Sequence, residues 1–307
     1  MKIGFIGLGA MGMPMTHRLA AAHPGNVFGF DANADLTQFV CEQVDARPCG
    51  SVAEIAAASN VLFTCLPNND VLRAVYLDGA GVASAITAGA LTIDCSTVGP
   101  DATRDVSSAL VERQVSHLDA SMLGSVKQAT DGTLSFVVGG EQGAFERAEP
   151  VLSVLGQMIR YCGPSGAGNQ MKLIHQTLVA GHAVAVAEAM GLCLATGADV
   201  ETFYDIVTGG TGFAYSRYFE NRVPRMREGD FSPLFMLKFM LKDARLARDM
   251  VEGAGEKFPA LAAAIATLEE GEAAGWGEAD FSAAMKAVEA RIGESISQNP
   301  VEAGASG

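Results

Sequence analysis

Lys2-Ile3-Gly4-Phe5-Ile6-Gly7-Leu8-Gly9-Ala10-Met11-Gly12 is the stretch on which the reading of this chain turns. Residues 2–6 read as a short β-strand and residues 11–22 carry apolar side chains near helical spacing. Between them stands Gly-x-Gly-x-x-Gly at Gly7, Gly9 and Gly12, in the strand-to-helix context that gives each glycine a separate task. Gly7 allows the tight turn, Gly9 lets backbone amides approach a pyrophosphate, and Gly12 permits close helix-strand packing. Leu8, Ala10 and Met11 complete the turn, and the helix N-terminus adds a dipole that favours an anion. The stretch predicts a dinucleotide-binding unit.

Outward from this turn, Asp31 ends the next predicted strand, about 20 residues beyond the glycines, where a carboxylate accepts hydrogen bonds from an adenine ribose diol. No Arg or Lys follows it before Arg47. A ribose 2'-phosphate would meet like charge without a cation, so NAD is the expected cofactor and NADP is disfavoured. An Asp at a strand end also caps turns, and that alternative stays open.

β-rich runs at 2–6, 27–30, 61–65, 91–94, 116–119, 135–138 and 159–161 alternate with helical stretches at 11–22, 34–41, 52–57, 70–76 and 101–112. This is the pattern of a parallel sheet covered by helices on both faces. After the glycine-rich residues 163–168 the chain turns to long helical segments, the first expected at 169–196. The predicted fold class is an α/β Rossmann-type N-terminal domain with an all-α C-terminal domain, joined by a long interdomain helix. The expected limits are 1–162 for the NAD-binding domain, 163–294 for a helical substrate and oligomerisation domain, and 295–307 for a flexible tail.

Hydrophobic residues make up 49% and charged residues 18% of the 307, so the chain can bury the cores of two domains. Acidic residues outnumber basic ones 35 to 21, a formal charge of -14 that gives no basis for a sequence-independent grip on nucleic acid or an anionic membrane. The first apolar run is too short, and too soon glycine-rich, for a secretory signal. The longest apolar stretch, 173–196, carries His175, Gln176, His182 and Glu188 and reads as a buried amphipathic helix rather than a membrane span. A cytoplasmic location is expected. Cys41, Cys49, Cys65, Cys95, Cys162 and Cys193 form no Cys-x-x-Cys pair and have no His at ligand spacing, so no metal site or disulfide framework is expected.

Asp94-Cys95-Ser96-Thr97-Val98-Gly99-Pro100 ends a predicted strand with two hydroxyls at the carboxyl edge of the sheet, where open α/β folds bind ligands. A helix N-cap at this point is the alternative. Further along come Gly132-Thr133-Leu134, Gly139-Gly140, Gly166-Ala167-Gly168-Asn169-Gln170-Met171-Lys172, Phe235 and Lys242-Asp243-Ala244-Arg245-Leu246-Ala247. With the glycine turn and Leu66-Pro67, these motifs resemble in order, along nearly the whole chain, the β-hydroxyacid dehydrogenase family. That family includes 3-hydroxyisobutyrate dehydrogenase, tartronate semialdehyde reductase and, more distantly, 6-phosphogluconate dehydrogenase.

The resemblance implies NAD-dependent oxidation of a small hydroxy acid, or reduction of the matching semialdehyde, in a homodimer or homotetramer with its site in the cleft between the domains. Lys172 matches the family's catalytic lysine. Hydride transfer from an alcohol requires its hydroxyl proton to leave, and a lysine whose pKa is lowered by burial can take it. Without the resemblance, a lysine early in a helix reads as a solvated surface residue. His175 and Gln176 follow at i+3 and i+4 on the same helix face, so three polar groups can converge on one ligand. By the same carry-over Leu66, Pro67 and Asn68 lie along the adenosine half of the cofactor and Thr97 lies near the nicotinamide ribose. Lys242 falls near the nicotinamide end, Phe235 and Phe231 shield the cleft or form simple core, and Ser96 and Gly124 touch substrate.

Two departures bear on the substrate. Asp119-Ala120-Ser121-Met122-Leu123-Gly124-Ser125 stands where the family has Asp-Ala-Pro-Val-Ser-Gly-Gly, so Leu123 replaces the serine that helps hold a substrate carboxylate. Ser121 or Ser125 could return a hydroxyl, while Leu123 favours a more apolar or bulkier group. His175 replaces the family's usual Asn, as in the 6-phosphogluconate branch, and either serves as a second acid-base group or orients the lysine. Two further readings are an imine reductase of the same architecture, in which an Asp or Tyr commonly stands at the position of Lys172, and a non-catalytic dinucleotide-binding module.

Overall fold

Short apolar runs separated by helices build the first unit, Met1–Leu173, one of two compact units into which the computed structural model divides. The second begins at Ile174, and the structure describes residues 1–298. The strands are β1 (Ile3–Ile6), β2 (Val27–Phe30), β3 (Ala46–Pro48), β4 (Val61–Thr64), β5 (Leu91–Asp94), β6 (Ser116–Leu123), β7 (Leu134–Gly140) and β8 (Gly156–Gly163). They form one sheet in the order β3-β2-β1-β4-β5-β6-β7-β8. Strand order reverses between β1 and β4, which is where an open α/β sheet opens a ligand crevice at its carboxyl edge.

Helices α1 (Gly12–Ala22), α2 (Ala34–Gln43), α3 (Val52–Ala58), α4 (Asn69–Leu77), α5 (Val82–Ala85), α6 (Pro100–Val111), α7 (Val126–Asp131) and α8 (Gln142–Leu152) connect these strands. Both faces of the sheet are covered. Ile3, Phe5, Val61 and Phe63 point into one core with Met15, Leu19, Val151 and Leu152, while Ile6 and Leu62 point into the other with Ile55, Leu72, Val106 and Leu110. Burial on both faces explains why these strands read as continuous apolar runs.

The sheet departs from the expected parallel pattern at its far edge. β6 and β7 are antiparallel, because residues 124–133 between them are fewer than the dozen or so a parallel crossover needs. β3, which the sequence did not signal, is a short edge strand whose Pro48 is tolerated there.

α9 (Ala167–Thr196) starts in the first unit and carries the chain into the second, followed by α10 (Val200–Gly209), α11 (Arg217–Glu228), α12 (Leu237–Gly253), α13 (Pro259–Gly271) and α14 (Ala284–Ile292). The sequence boundary at 162/163 falls at the end of β8, whereas the compact units divide at Leu173 and Ile174, inside α9. Among the described residues α9 is the one helix long and apolar enough to span a membrane by length and composition, and half of its most apolar window is buried in the protein. In the expected tail, the Ser295 hydroxyl and the Ile296 N–H donate to Glu289 Oε1 at 3.1 and 2.9 Å, which holds the chain through a buried Ile296. Residues 299–307 of that tail lie outside the described residues.

Candidate active site

The glycine turn sits at the reversal point between β1 and β4. Gly7 has φ +93°, and a Cβ there would stand 2.2 Å from the Cys65 carbonyl oxygen, so only glycine allows β1 to turn against the end of β4. A Cβ on Gly12 would meet the Gly7 carbonyl oxygen at 1.9 Å, which is the close helix-strand packing the motif requires. At Gly9 a Cβ would meet nothing within 4 Å, leaving an open cradle of backbone above the turn. No side chain caps α1, whose Met13 N–H is taken by the Gly9 carbonyl oxygen at 2.9 Å and whose Pro14 has none, so its start offers an anion chiefly the helix dipole. Asp31 accepts the Leu8 N–H at 2.9 Å through Oδ2 and the Asn33 N–H at 2.9 Å through Oδ1, so its carboxylate both closes the turn and is fixed beside it. The residues present fit a dinucleotide.

Beside this turn, buried Asp94 organises the ends of β4 and β5. Its Oδ1 accepts the Thr64 hydroxyl at 2.7 Å and the Ser96 hydroxyl at 2.5 Å, and Ser96 Oγ in turn accepts the Leu66 N–H at 2.7 Å. Ser96, expected at the substrate, is buried with its hydroxyl committed to these two partners. Asn68 caps α4 by accepting the Val71 N–H at 2.9 Å, which leaves Leu66 and Pro67 as the apolar edge of this loop. Thr97 follows Ser96 and is partly buried.

The root of α9 is fastened to the next strand. Asp119 on β6 is fully buried and accepts the Gly166 and Asn169 N–H groups, each at 2.8 Å. Burial pushes its carboxyl up to about 6, against the downward pull of those backbone donors. Lys172 lies one turn beyond Asn169 and is partly buried. Ser121 Oγ donates to Asn169 Oδ1 at 2.9 Å, and the Ser125 N–H and hydroxyl both donate to Gln128 Oε1 at 2.9 and 2.6 Å. Both hydroxyls thus donate within the chain. Gly124, with φ +138°, makes the bend between β6 and α7.

In the second unit Gln176 is buried, and its Nε2 donates to Asp243 Oδ2 at 2.7 Å, while Lys242 Nζ pairs with Asp243 Oδ1 at 2.9 Å. His175 is exposed, with Nδ1 3.2 Å from Gln176 Oε1. The Phe235 ring packs 6.0 Å from Phe281 and 6.3 Å from Phe239, and its N–H donates to buried Asp280. Phe231 is core, flanked by Trp276 and by the Lys286 ammonium 4.7 Å from its ring centre. Sequence reasoning left Asp94, Asn169 and Asp280 without roles, because a buried polar residue shows its task only through partners distant in the chain.

The glycine turn, the uncapped helix behind it and the fixed carboxylate of Asp31 define a dinucleotide-binding domain of the Rossmann type. Residues 2–163 match the family model described as the NAD binding domain of 6-phosphogluconate dehydrogenase. Residues 166–288 match the model described as NAD-binding of NADP-dependent 3-hydroxyisobutyrate dehydrogenase. The chain is 35% identical over 298 residues to 2-(hydroxymethyl)glutarate dehydrogenase of Eubacterium barkeri, covering 96% of this chain and 97% of that one. It is 34% identical over 290 residues to L-threonate dehydrogenase of Cupriavidus necator, covering 93% and 95%. The solved structure of Mycobacterium tuberculosis 3-hydroxyisobutyrate dehydrogenase with L-serine aligns with a TM-score of 0.83 at 33% identity, covering 93% and 98%. An imine reductase from Pseudomonas sp. aligns with a TM-score of 0.59 at 19% identity over 93% of this chain and 98% of that one, a likeness of fold alone. The chain belongs to the 3-hydroxyisobutyrate dehydrogenase-like family of NAD-binding hydroxyacid dehydrogenases.

Proposed function

We propose that this enzyme oxidises a small 3-hydroxyisobutyrate-like hydroxy acid to its semialdehyde or keto product, or runs the reverse reduction, with Lys172 as general acid and base. The observation that carries the reading is the anchoring of the first turn of α9. Asp119 fixes the Gly166 and Asn169 N–H groups, and Lys172 follows about 4.5 Å further along the helix axis on the face of Asn169. NAD, held by Gly7 to Gly12 and Asp31, supplies the hydride acceptor when bound. Lys172 takes the hydroxyl proton as the carbon-hydrogen bond breaks, and returns it in the reverse direction. In the second unit, buried Gln176 and Lys242 are both engaged with Asp243.

The relatives' names span hydroxy acids with different second substituents, and the residues of the β6 loop narrow the choice here. With Leu123 in place of a serine, and with the Ser121 and Ser125 hydroxyls engaged inside the chain, this loop presents apolar surface and backbone to a ligand. A hydroxy acid carrying an apolar or bulkier substituent suits it better than a second hydroxyl. Turnover by Lys172→Ala across a panel of C3 to C6 hydroxy acids should fall at least ~100-fold with NAD still bound. Near-native kcat would remove the lysine from the reaction.

The same proposal takes NAD over NADP. Asp31 would face a ribose 2'-phosphate with its charge, and Arg47 stacks its guanidinium 5.8 Å from the Phe28 ring centre. The expected preference in kcat/KM is roughly tenfold or more, since juxtaposed like charges oppose binding strongly. Equal efficiency with the two cofactors would refute it.

A further inference from the structure

A lysine has a long and flexible stem, so its reach toward a reacting hydroxyl depends on how firmly the backbone beneath it is placed relative to the bound cofactor. Asn169 stands one turn before Lys172 on the same face of α9 and is fully buried. Its side-chain amide is spent on three groups from three other elements. Oδ1 accepts the Val98 N–H at 3.1 Å and the Ser121 hydroxyl at 2.9 Å, and Nδ2 donates to Thr103 Oγ1 at 3.1 Å. We propose that Asn169 is a positioning residue for the hydroxy-acid reaction, its amide tying the Ser96-Thr97-Val98 turn to the first turn of α9 and so fixing the distance from Lys172 to the cofactor edge of β5. This rests on the reading of Lys172 as the proton carrier.

Thr97 is bracketed by side-chain hydrogen bonds. On one side the Ser96 hydroxyl is held between Asp94 and the Leu66 N–H; on the other the Val98 N–H is held by Asn169. The helix axis is fixed by other means. Asp119 takes two N–H groups at its start, and a Cβ on Gly168 would stand 2.6 Å from both the Asp119 and Val137 carbonyl oxygens, so α9 packs backbone to backbone on β6 and β7. Removing the Asn169 amide therefore leaves the helix anchored and frees the turn after β5. The loss should appear in the alignment of reactants rather than in the fold.

The test is a double-mutant cycle on the full-length enzyme with saturating NAD. Asn169→Ala should lower kcat by roughly tenfold or more with the lysine present, since misplacement by about 1 Å can cost that much, while NAD affinity changes less than about threefold. In a Lys172→Ala background the same substitution should change turnover by less than about threefold, because no lysine remains to be placed. If Asn169→Ala does not fold, Ser121→Ala removes one partner of the amide and should show the same dependence on Lys172 with a smaller loss. Equal losses in both backgrounds, or full turnover with Lys172 present, would overturn the assignment. Near-native turnover of Lys172→Ala would overturn the acid-base reading and this inference together; an inactive Lys172→Ala beside an unimpaired Asn169→Ala would overturn this inference alone.

Discussion

The root of α9 and the loop ahead of α12 solve one problem in two ways. Each carries candidate functional residues, Lys172 on α9 and Phe235 just ahead of α12, and each fixes the adjoining backbone with a fully buried aspartate. Asp119 collects the Gly166 and Asn169 N–H groups. Asp280 collects the Leu234, Phe235 and Ser282 N–H groups and also pairs with Arg222 at 2.9 Å. Burial raises the Asp119 carboxyl in spite of its amide donors, whereas Asp280 meets the full opposing charge of a guanidinium. The first anchor is therefore sensitive to pH, and the second is sensitive to loss of its partner.

Asp280→Ala tests the second anchor and should have the larger effect. It strands a guanidinium whose side chain is only 15% exposed and leaves several N–H groups without their acceptor. Breaking such a pair costs about 3–5 kcal/mol, read as a fall in the urea midpoint with unchanged slope. A loss below about 1 kcal/mol would mean that Arg222 finds water or another acceptor easily, and the contrast between the two anchors would disappear.

The pH dependence of the first anchor is smaller. Burial raises Asp119 from 3.8 to about 6 in the folded chain, so the folded state holds its proton more tightly than the unfolded one. The stability this contributes is fully present below about pH 4 and is lost as pH rises through 6. Between pH 5.5 and 8 the remaining loss is about 1 kcal/mol. Buried His117, lowered to about 3, acts in the opposite direction, losing stability as pH falls below its unfolded value near 6.5. Comparing wild type with Asp119→Asn at both pH values cancels the histidine. Wild type should lose ground against Asp119→Asn on going to pH 8, and a pH-independent difference would show that Asp119 keeps an ordinary pKa.

The glycine turn was legible because its constraints are local. Gly7, Gly9 and Gly12 act on backbone within a few residues, and the structure finds close packing at two of them and open space at the third, as the motif requires. The helices at 34–43, 52–58, 69–77 and 100–111 were legible for the same reason, their apolar spacing lying inside each segment. The hydroxyls of Ser96, Ser121 and Ser125 were not. Their residue type suited a ligand, and the structure adds partners inside the chain: Ser96 Oγ donates to Asp94 and accepts the Leu66 N–H, Ser121 Oγ donates to Asn169 and Ser125 Oγ donates to Gln128. Gln176 followed the same course, its amide taken by Asp243, 67 residues away.

By itself the sequence determined the dinucleotide turn, the alternation that builds the sheet, the change to helices after it and the place of Lys172 on the helix that links them. These are matters of spacing and of backbone freedom, and they are written within short windows. Only the tertiary structure decided that β7 runs against β6, that Asp119 and Asp280 are anchors, and that Asn169 joins elements 48, 66 and 71 residues away. A buried polar group must find its partners wherever the folded chain supplies them, and no periodicity in the sequence records which ones those are.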